Sequence, residues 1–369
     1  MNLPRDPPLP AFANGGSPPR SVLIIATRRI GDVLLATPLM RSIKHAWPDA
    51  ALDVLVFEGT QGVIAANPDI RRVLAVPERP GRLAHLAFLI RLARRYDAAL
   101  STLHGDRPTL YAFVAGRWRA GLLGDEYRER WKKHLLHRWA PFDNLNTHTV
   151  LMNLTLARVL GIEPRAEVAV NWRADDARRV DASAPKPPFA ILHPYPKFNY
   201  KMWRGDAWIE VANWLTGRGY CVVLSGGTDP AETAYVADLV SRMPRGTINL
   251  AGKFSLAEAG CLLSRAAVFI GPDTALTHMA AALGVPTVAL YGPTDPVKWG
   301  PWPKDHALLA NPWRRCGSQR AGNVTLLQGV AACVPCTFEG CGRVITSFSD
   351  CLQSLSVEKV IAALKERLR

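Results

Sequence analysis

A chain of 369 residues is too long for one ordinary hydrophobic core, so two domains are expected. With 48% hydrophobic and 21% charged residues it should fold; no run reaches the ~18 apolar residues of a membrane-crossing helix and no charged-then-apolar leader opens it, so a cytoplasmic protein is expected. Lysine and arginine number 45 against 31 acidic residues, and the net charge of +14 points to a polyanionic partner: nucleic acid, an anionic membrane surface or a phosphorylated substrate.

Residues 1–20 hold Pro4, Pro7, Pro8, Pro10, Pro18 and Pro19 with Gly15-Gly16, the composition of a flexible tail. From Ser21 onward Val22-Leu23-Ile24-Ile25 reads as a strand and Thr27-Arg28-Arg29-Ile30-Gly31 as a turn. Asp32 then opens a helix over 33–47, with Leu34, Leu35, Pro38, Leu39 and Ile43 on one side and Pro48 closing it. A strand over 52–57 completes the unit, leaving Gly31-Asp32 at its ligand edge. Strands at 73–76 and 98–102 flank a basic amphipathic helix over 82–96, and the second runs into His104-Gly105-Asp106.

The pattern loosens over 117–139, where Arg and Lys interleave with Trp118, Tyr127, Trp131 and Trp139. Long cations beside rings suit a lipid headgroup layer or a phosphorylated glycan; the plainer alternative is a solvated face with aromatics tucked under it. A helix over 150–160 ends at Gly161, and the charged, Ala- and Pro-rich stretch 174–188 reads as a linker. The expected division is a domain at 21–175, a linker at 176–188, a second domain at 189–345 and a C-terminal helix within 346–369.

The second half opens with a strand over 189–192, a polar loop over 193–202 and a helix over 203–215. A strand over 221–224 runs into Ser225-Gly226-Gly227-Thr228-Asp229, followed by a helix over 231–242 and a short strand over 248–250. Ser255-Leu256-Ala257-Glu258 has the spacing of a capping box. The clearest unit is 267–293: an apolar strand, a Gly271-Pro272 break, a helix to Leu283 with Asp273 or Thr274 placed to cap it, Gly284 to stop it, and a strand over 287–290. In an open parallel sheet such a helix presents its N-terminus at the carboxyl edge, where anions bind. Asp273, Thr274 and His278 are therefore candidates to hold a phosphate-bearing ligand; the alternative makes Asp273 a plain cap and His278 a half-buried surface residue.

Past Gly292 the chain turns irregular. Among its seven cysteines, Cys333, Cys336, Cys341 and Cys351 form Cys-x2-Cys-x4-Cys-x9-Cys, which could satisfy a tetrahedral zinc but lacks a second tight pair; reduced thiols in a packed loop are the alternative. Neither half carries Gly-x-Gly-x-x-Gly, a Walker loop or Gly-x-Ser-x-Gly, which disfavours dehydrogenases, P-loop enzymes and α/β-hydrolases. There remain Asp32 in one half and Lys201, Ser225-Gly226-Gly227 and 273–278 in the other. A carboxylate, a cation and a helix N-terminus suit group transfer from a diphosphate leaving group.

Arg29-Ile30-Gly31-Asp32-Val33 within 24–47, and Gly271-Pro272-Asp273-Thr274 through His278 to Tyr291-Gly292-Pro293-Thr294-Asp295-Pro296, resemble the two signature blocks of the ADP-heptose:lipopolysaccharide heptosyltransferases, glycosyltransferase family 9. Lys201-Met202-Trp203 resembles the family's Lys-x-Trp block and 224–232 its glycine-containing nucleotide loop, so the resemblance covers roughly 21–300. It implies an α/β protein of two Rossmann-like doubly wound domains facing a cleft, the GT-B fold, with metal-independent, inverting transfer and no cofactor beyond the nucleotide-sugar co-substrate. Asp32 would be the general base, with Arg28, Arg29 and Gly31 on the acceptor side, and Lys201 would neutralise the departing diphosphate. Ser225, Gly226, Gly227, Asp273, Thr274, Ala275 and His278 would line the donor site, and Glu232 would accept from the ribose hydroxyls.

Ala275 stands where many members have Gly, Arg204-Gly205 replaces the usual Pro, and 117–139 matches no motif of the family. The four-cysteine segment resembles cysteine-containing tails in part of the family, which favours a structural role. The expected partners are ADP-heptose and an anionic lipid-linked glycan at the inner face of the inner membrane, with no nucleic acid. A nucleotide-sugar epimerase or hydrolase of the same architecture is the alternative among enzymes, and a non-catalytic polyanion-binding protein the alternative outside them.

Overall fold

The computed structural model describes residues 17–368, so most of the expected tail lies outside the described residues. Two compact units emerge, one running to Ala169 with Ala307–Ala310 added, the other formed by Val170–His306 and the chain from Asn311 onward.

The first unit is built on six parallel strands: β1 Ser21–Ile25, β2 Ala51–Phe57, β3 Arg72–Val76, β4 Tyr96–Ser101, β5 Gly116–Leu123 and β6 Arg138–Pro141. Their order is β3-β2-β1-β4-β5-β6. A parallel sheet covered on both faces needs strands apolar on both sides, and Val22, Leu23, Ile24 and Ile25 are all fully buried. The order reverses at β1 and β4, so the loops that leave them begin side by side, with Ile25 in register with Ser101.

The helix expected over 33–47 is two helices, Ile30–Leu34 and Thr37–Ala46. Pro38 has no N–H to give and its ring crowds the Leu34 carbonyl, which breaks the ladder there. The freed carbonyls are taken by side chains: Thr37 Oγ1 donates to Leu34 O at 2.7 Å and Asn153 Nδ2 to Leu35 O at 3.0 Å. Asp32 consequently lies in the first turn of a short helix whose N-cap is Arg29, rather than at a cap.

Two further stretches differ from expectation. Residues 117–139 are not loose: they hold most of β5, a 3-10 turn Tyr127–His134 and the start of β6. Helix Asp106–Ala115 buries Pro108, Thr109, Tyr111, Ala112 and Ala115, which leaves too narrow a polar stripe to signal a helix in the sequence.

The second unit repeats the plan. Its strands are β7 Phe189–Leu192, β8 Cys221–Leu224, β9 Ile248–Asn249, β10 Val268–Pro272, β11 Thr287–Tyr291, β12 Gln319–Ala321 and β13 Val324–Gln328, in the order β12-β13-β11-β10-β7-β8-β9. Only β12 runs antiparallel; without it the strand order of the first sheet recurs, with the reversal at β7 and β10. β12 and β13 lie in the stretch expected to be irregular. Trp203 and Trp208 meet edge to face at 5.2 Å in its core, beneath helices Gly205–Thr216 and Val357–Arg367.

The expected linker is helical over Ala174–Asp181 and belongs to the second unit. Val180 is buried, and the largely buried carboxylates of Asp176 and Glu258 share the exposed Arg179 guanidinium.

Asn153→Ala leaves the buried Leu35 carbonyl without its donor. Stability should fall by about 1–3 kcal/mol in urea unfolding of the first unit, and an unchanged midpoint would contradict this account of the helix break.

Candidate active site

The loop after β10 places Asp273, and the loop after β7 ends in the 3-10 turn Asn199–Lys201. These are the two strands at which the second sheet reverses, the place where open α/β sheets receive ligands. Lys201 Nζ lies 2.5 Å from Asp273 Oδ2, and His278 Nε2 lies 3.4 Å from Oδ1. The Tyr291 hydroxyl, at the end of β11, is 3.4 Å from Oδ1 and 2.8 Å from the Trp299 carbonyl; its single proton goes to the nearer acceptor. Burial works against a charge on Asp273, but the Lys201 ammonium and the His278 hydrogen bond outweigh it and hold the carboxyl well below the usual range. Asp273 is thus a buried carboxylate, and its neighbour Tyr291 is pushed well above the ordinary phenol range by burial and by that charge.

Of the two residues expected to cap the next helix, Ala275–Leu283, Thr274 takes the N-cap position but makes no side-chain cap bond. Its Oγ1 lies 3.2 Å from Thr277 Oγ1, and Thr277 in turn donates to the Pro272 carbonyl. Asp273 faces Lys201 and His278 instead of the helix amides. No acidic residue occupies the first turn, which opens at Ala275, and Gly284 ends the helix in the left-handed conformation at φ 84°. Buried His278 leaves Nδ1 without a hydrogen-bond partner among the described residues.

After β8, Ser225 and the glycine pair form a second group. His193, the first residue past β7, was read only as part of a polar loop; it is buried, with Nδ1 3.2 Å from Ser225 Oγ. Burial lowers its pKa to about 4, so the ring is neutral at neutral pH. Glu232 Oε1 accepts from the Gly227 amide at 2.7 Å, and burial raises the carboxyl's pKa. A Cβ on Gly226 would stand 2.9 Å from Glu232 Oε1 and one on Gly227 3.0 Å from Oε2. A side chain at either glycine would therefore press on the carboxylate and shift it from its present place against this loop.

In the first unit, Asp32 follows β1 and its Oδ1 lies 3.9 Å from Arg28 Nε. The neighbouring loop after β4 carries a network absent from the expected site. Lys132 is buried and donates to the His104 carbonyl at 2.5 Å, with Asp106 Oδ1 at 2.9 Å and Glu129 Oε1 at 3.1 Å. His104 Nδ1 lies 2.9 Å from Glu129 Oε1, and the Gly124 amide donates to Oε2 at 2.7 Å. Burial disfavours the Glu129 charge, but these donors prevail and its pKa is lowered. The only trace in the sequence is His104-Gly105-Asp106 at a strand end; Lys132, one of a Lys-Lys pair, reads as a surface residue.

The structure therefore joins Lys201, Asp273 and His278 in one network and Ser225, Gly227 and Glu232 in a neighbouring loop, while Asp32 with Arg28 belongs to the first unit. None of the seven thiols is in a disulfide, and among the described residues no group of three or more His, Cys, Asp or Glu is placed to hold an ion. Burial and the neighbouring Cys336, Cys341 and Cys333 push the Cys351 thiol up to about 11.

Residues 92–325 match the model of glycosyltransferase family 9 (heptosyltransferase). Lipopolysaccharide heptosyltransferase 3 of Escherichia coli K12 is 30% identical over 293 residues, 74% of this chain and 82% of that protein. Among solved structures, the glycosyl transferase family 9 from Veillonella parvula aligns with a TM-score of 0.74 at 20% identity, covering 95% of this chain and 97% of its own. E. coli heptosyltransferase WaaC with ADP aligns with a TM-score of 0.71 at 21% identity, covering 94% and 99%. The chain belongs to glycosyltransferase family 9, and its two Rossmann-like units are those of a GT-B glycosyltransferase.

His193 yields a test of this geometry. Its folded pKa of about 4 lies below the ordinary 6.5, so the stability tied to the neutral ring is complete above 6.5 and lost as pH falls through that interval. Asp273, depressed below the carboxylate range, remains ionised throughout it. Urea unfolding of the second unit should lose on the order of 3 kcal/mol across the interval, and His193→Gln should flatten the slope; the same slope in the variant would rule His193 out as its source.

Proposed function

We propose that the protein transfers heptose from ADP-heptose to a hydroxyl of a lipopolysaccharide core glycan, with inversion and without a metal. The observation that carries this reading is the Lys201–Asp273 pair beside the side-chain-uncapped N-terminus of helix Ala275–Leu283. When the bond from the anomeric carbon to the diphosphate breaks, the electron pair leaves with ADP and negative charge grows on the phosphate oxygens. An ammonium already fixed by a buried carboxylate, together with helix amides and the positive end of the dipole, meets that charge with little reorganisation. In this reading Asp273 positions Lys201 and does not touch the phosphates, while Thr274, Ala275 and His278 line the donor pocket. The Ser225–Gly227 loop receives the nucleotide, and Glu232 accepts from the ribose hydroxyls.

Asp32 acts as general base: it takes the proton of the acceptor hydroxyl as that oxygen attacks from the face opposite the diphosphate, which inverts the anomeric carbon. Arg28, Arg29 and the Gly31 backbone receive the anionic acceptor. The name of the E. coli relative supports a lipopolysaccharide acceptor, and the ADP held by the structural neighbour supports the nucleotide. A lipid-linked acceptor calls for peripheral contact with the inner face of the inner membrane. No helix among the described residues is long and apolar enough to cross a membrane.

Asp32→Asn should lower the transfer rate by about 10²–10⁴-fold while leaving ADP affinity within about twofold, and NMR of the wild-type product should show an inverted anomeric centre. Retained transfer in the variant would remove Asp32 from its role. Equal turnover of ADP-heptose with and without acceptor would turn the reading toward an epimerase or hydrolase.

A further inference from the structure

Helix Arg82–Leu92 is apolar on two opposite sides. At roughly 100° per residue His85, Phe88, Leu89 and Leu92 share one side, and Leu83, Leu86, Ala87 and Ile90 the other. The first side is accounted for: Leu92 is buried with Leu23, Tyr96 and Tyr111, Phe88 and Leu89 pack against that cluster, and His85 and Phe88 meet the Tyr111 ring edge-on at 5.6 and 5.9 Å. The second side faces solvent, with Leu83 84% exposed, Leu86 55% and Ile90 67%.

Charge is arranged around that stripe. Arg82 and Arg91 fall on the two seams that separate it from the packed side, and Arg79, Arg94 and Arg95 lie just beyond the helix ends. Residues 79–95 contain five arginines and no Asp or Glu. With its opposite side packed on the protein, an exposed aliphatic stripe bordered by cations is a surface that a lipid interface can take up: apolar side chains enter the headgroup boundary and the cations meet phosphates.

We propose that this face of helix Arg82–Leu92 docks on an anionic bilayer, with Leu83, Leu86 and Ile90 entering the headgroup–acyl boundary and Arg82 and Arg91 beside them engaging lipid phosphates. A second copy of this chain fits poorly, because a two-fold contact would oppose the two sets of arginines across an apolar seam. For its purpose the inference rests on the lipid-linked acceptor proposed above; the surface itself stands on exposure and charge.

The test is co-sedimentation with phosphatidylcholine vesicles prepared with and without phosphatidylglycerol, run beside transfer of heptose to a water-soluble, delipidated acceptor. Wild type should bind the anionic vesicles. Leu83→Ser/Leu86→Ser/Ile90→Ser and, separately, Arg82→Glu/Arg91→Glu should each weaken that binding by about tenfold or more. Val330→Ser, at an equally exposed aliphatic residue of the second unit, should leave it unchanged. All substituted positions are exposed, and circular dichroism with a thermal midpoint checks that folding survives. Undiminished vesicle binding by both multiple variants, or failure of wild type to bind, overturns the docking surface whatever the transfer assay gives. An oligomer that becomes monomeric in the aliphatic variant with vesicle binding intact overturns it in favour of self-association. Lost vesicle binding in a protein that transfers no heptose leaves the surface standing and removes the proposed reaction.

Discussion

The Lys201–Asp273 ion pair is the constraint around which the second unit's ligand edge is arranged. A carboxylate as buried as Asp273 loses most of its hydration, and it stays ionised because Lys201 and His278 replace that water. The pair is costly to assemble, since Lys201 also gives up solvent, and a protein concerned with stability alone would do as well with apolar side chains there. In the function proposed above, its use is positional. Lysine is long and flexible, and a diphosphate leaving group needs a cation that is already in place when charge develops. Asp273 supplies the fixed end of that arrangement, and the strand that carries it leads into the helix whose N-terminus opens at Ala275.

The strand plan explains why chemically different groups are found at equivalent places. Each sheet reverses its order once, and the loops leaving the two central strands are the ones free to hold side chains over the sheet edge. In the second unit those loops carry Lys201 and Asp273; in the first they carry Asp32 and the His104 loop that Lys132 and Glu129 secure. The break forced by Pro38 is part of this economy. It ends the helix bearing Asp32 after a single short run, and Thr37 and Asn153 satisfy the carbonyls that the break exposes.

Much of the fold was legible because strands buried on both faces must be written as continuous apolar runs, and 22–25, 189–192, 221–224 and 287–290 are such runs. Gly284 also announced its own conformation, since few other residues end a helix at positive φ. What escaped reading were elements whose polarity is settled by distant partners. Helix Ala174–Asp181 reads as a linker until Val180 and Asp176 are buried against the second unit, and Lys132 looks exposed until Asp106, Glu129 and the His104 carbonyl surround it. The same holds within the site: Asp273 is visible as a polar residue at a helix start, yet its partner is 72 positions away, so a helix cap and an ion-pair anchor look alike in the sequence.

Isothermal titration of the purified protein with ADP, UDP, GDP and CDP, repeated on Lys201→Ala, decides whether the Lys201–Asp273 pair holds the donor's diphosphate. Selective ADP binding is expected, weakening by about tenfold or more when the ammonium is removed, because the diphosphate then loses its cation and meets the charge of Asp273 that Lys201 had offset. Binding of ADP with equal affinity in wild type and Lys201→Ala would contradict it, since the diphosphate would not be held where the ion pair stands.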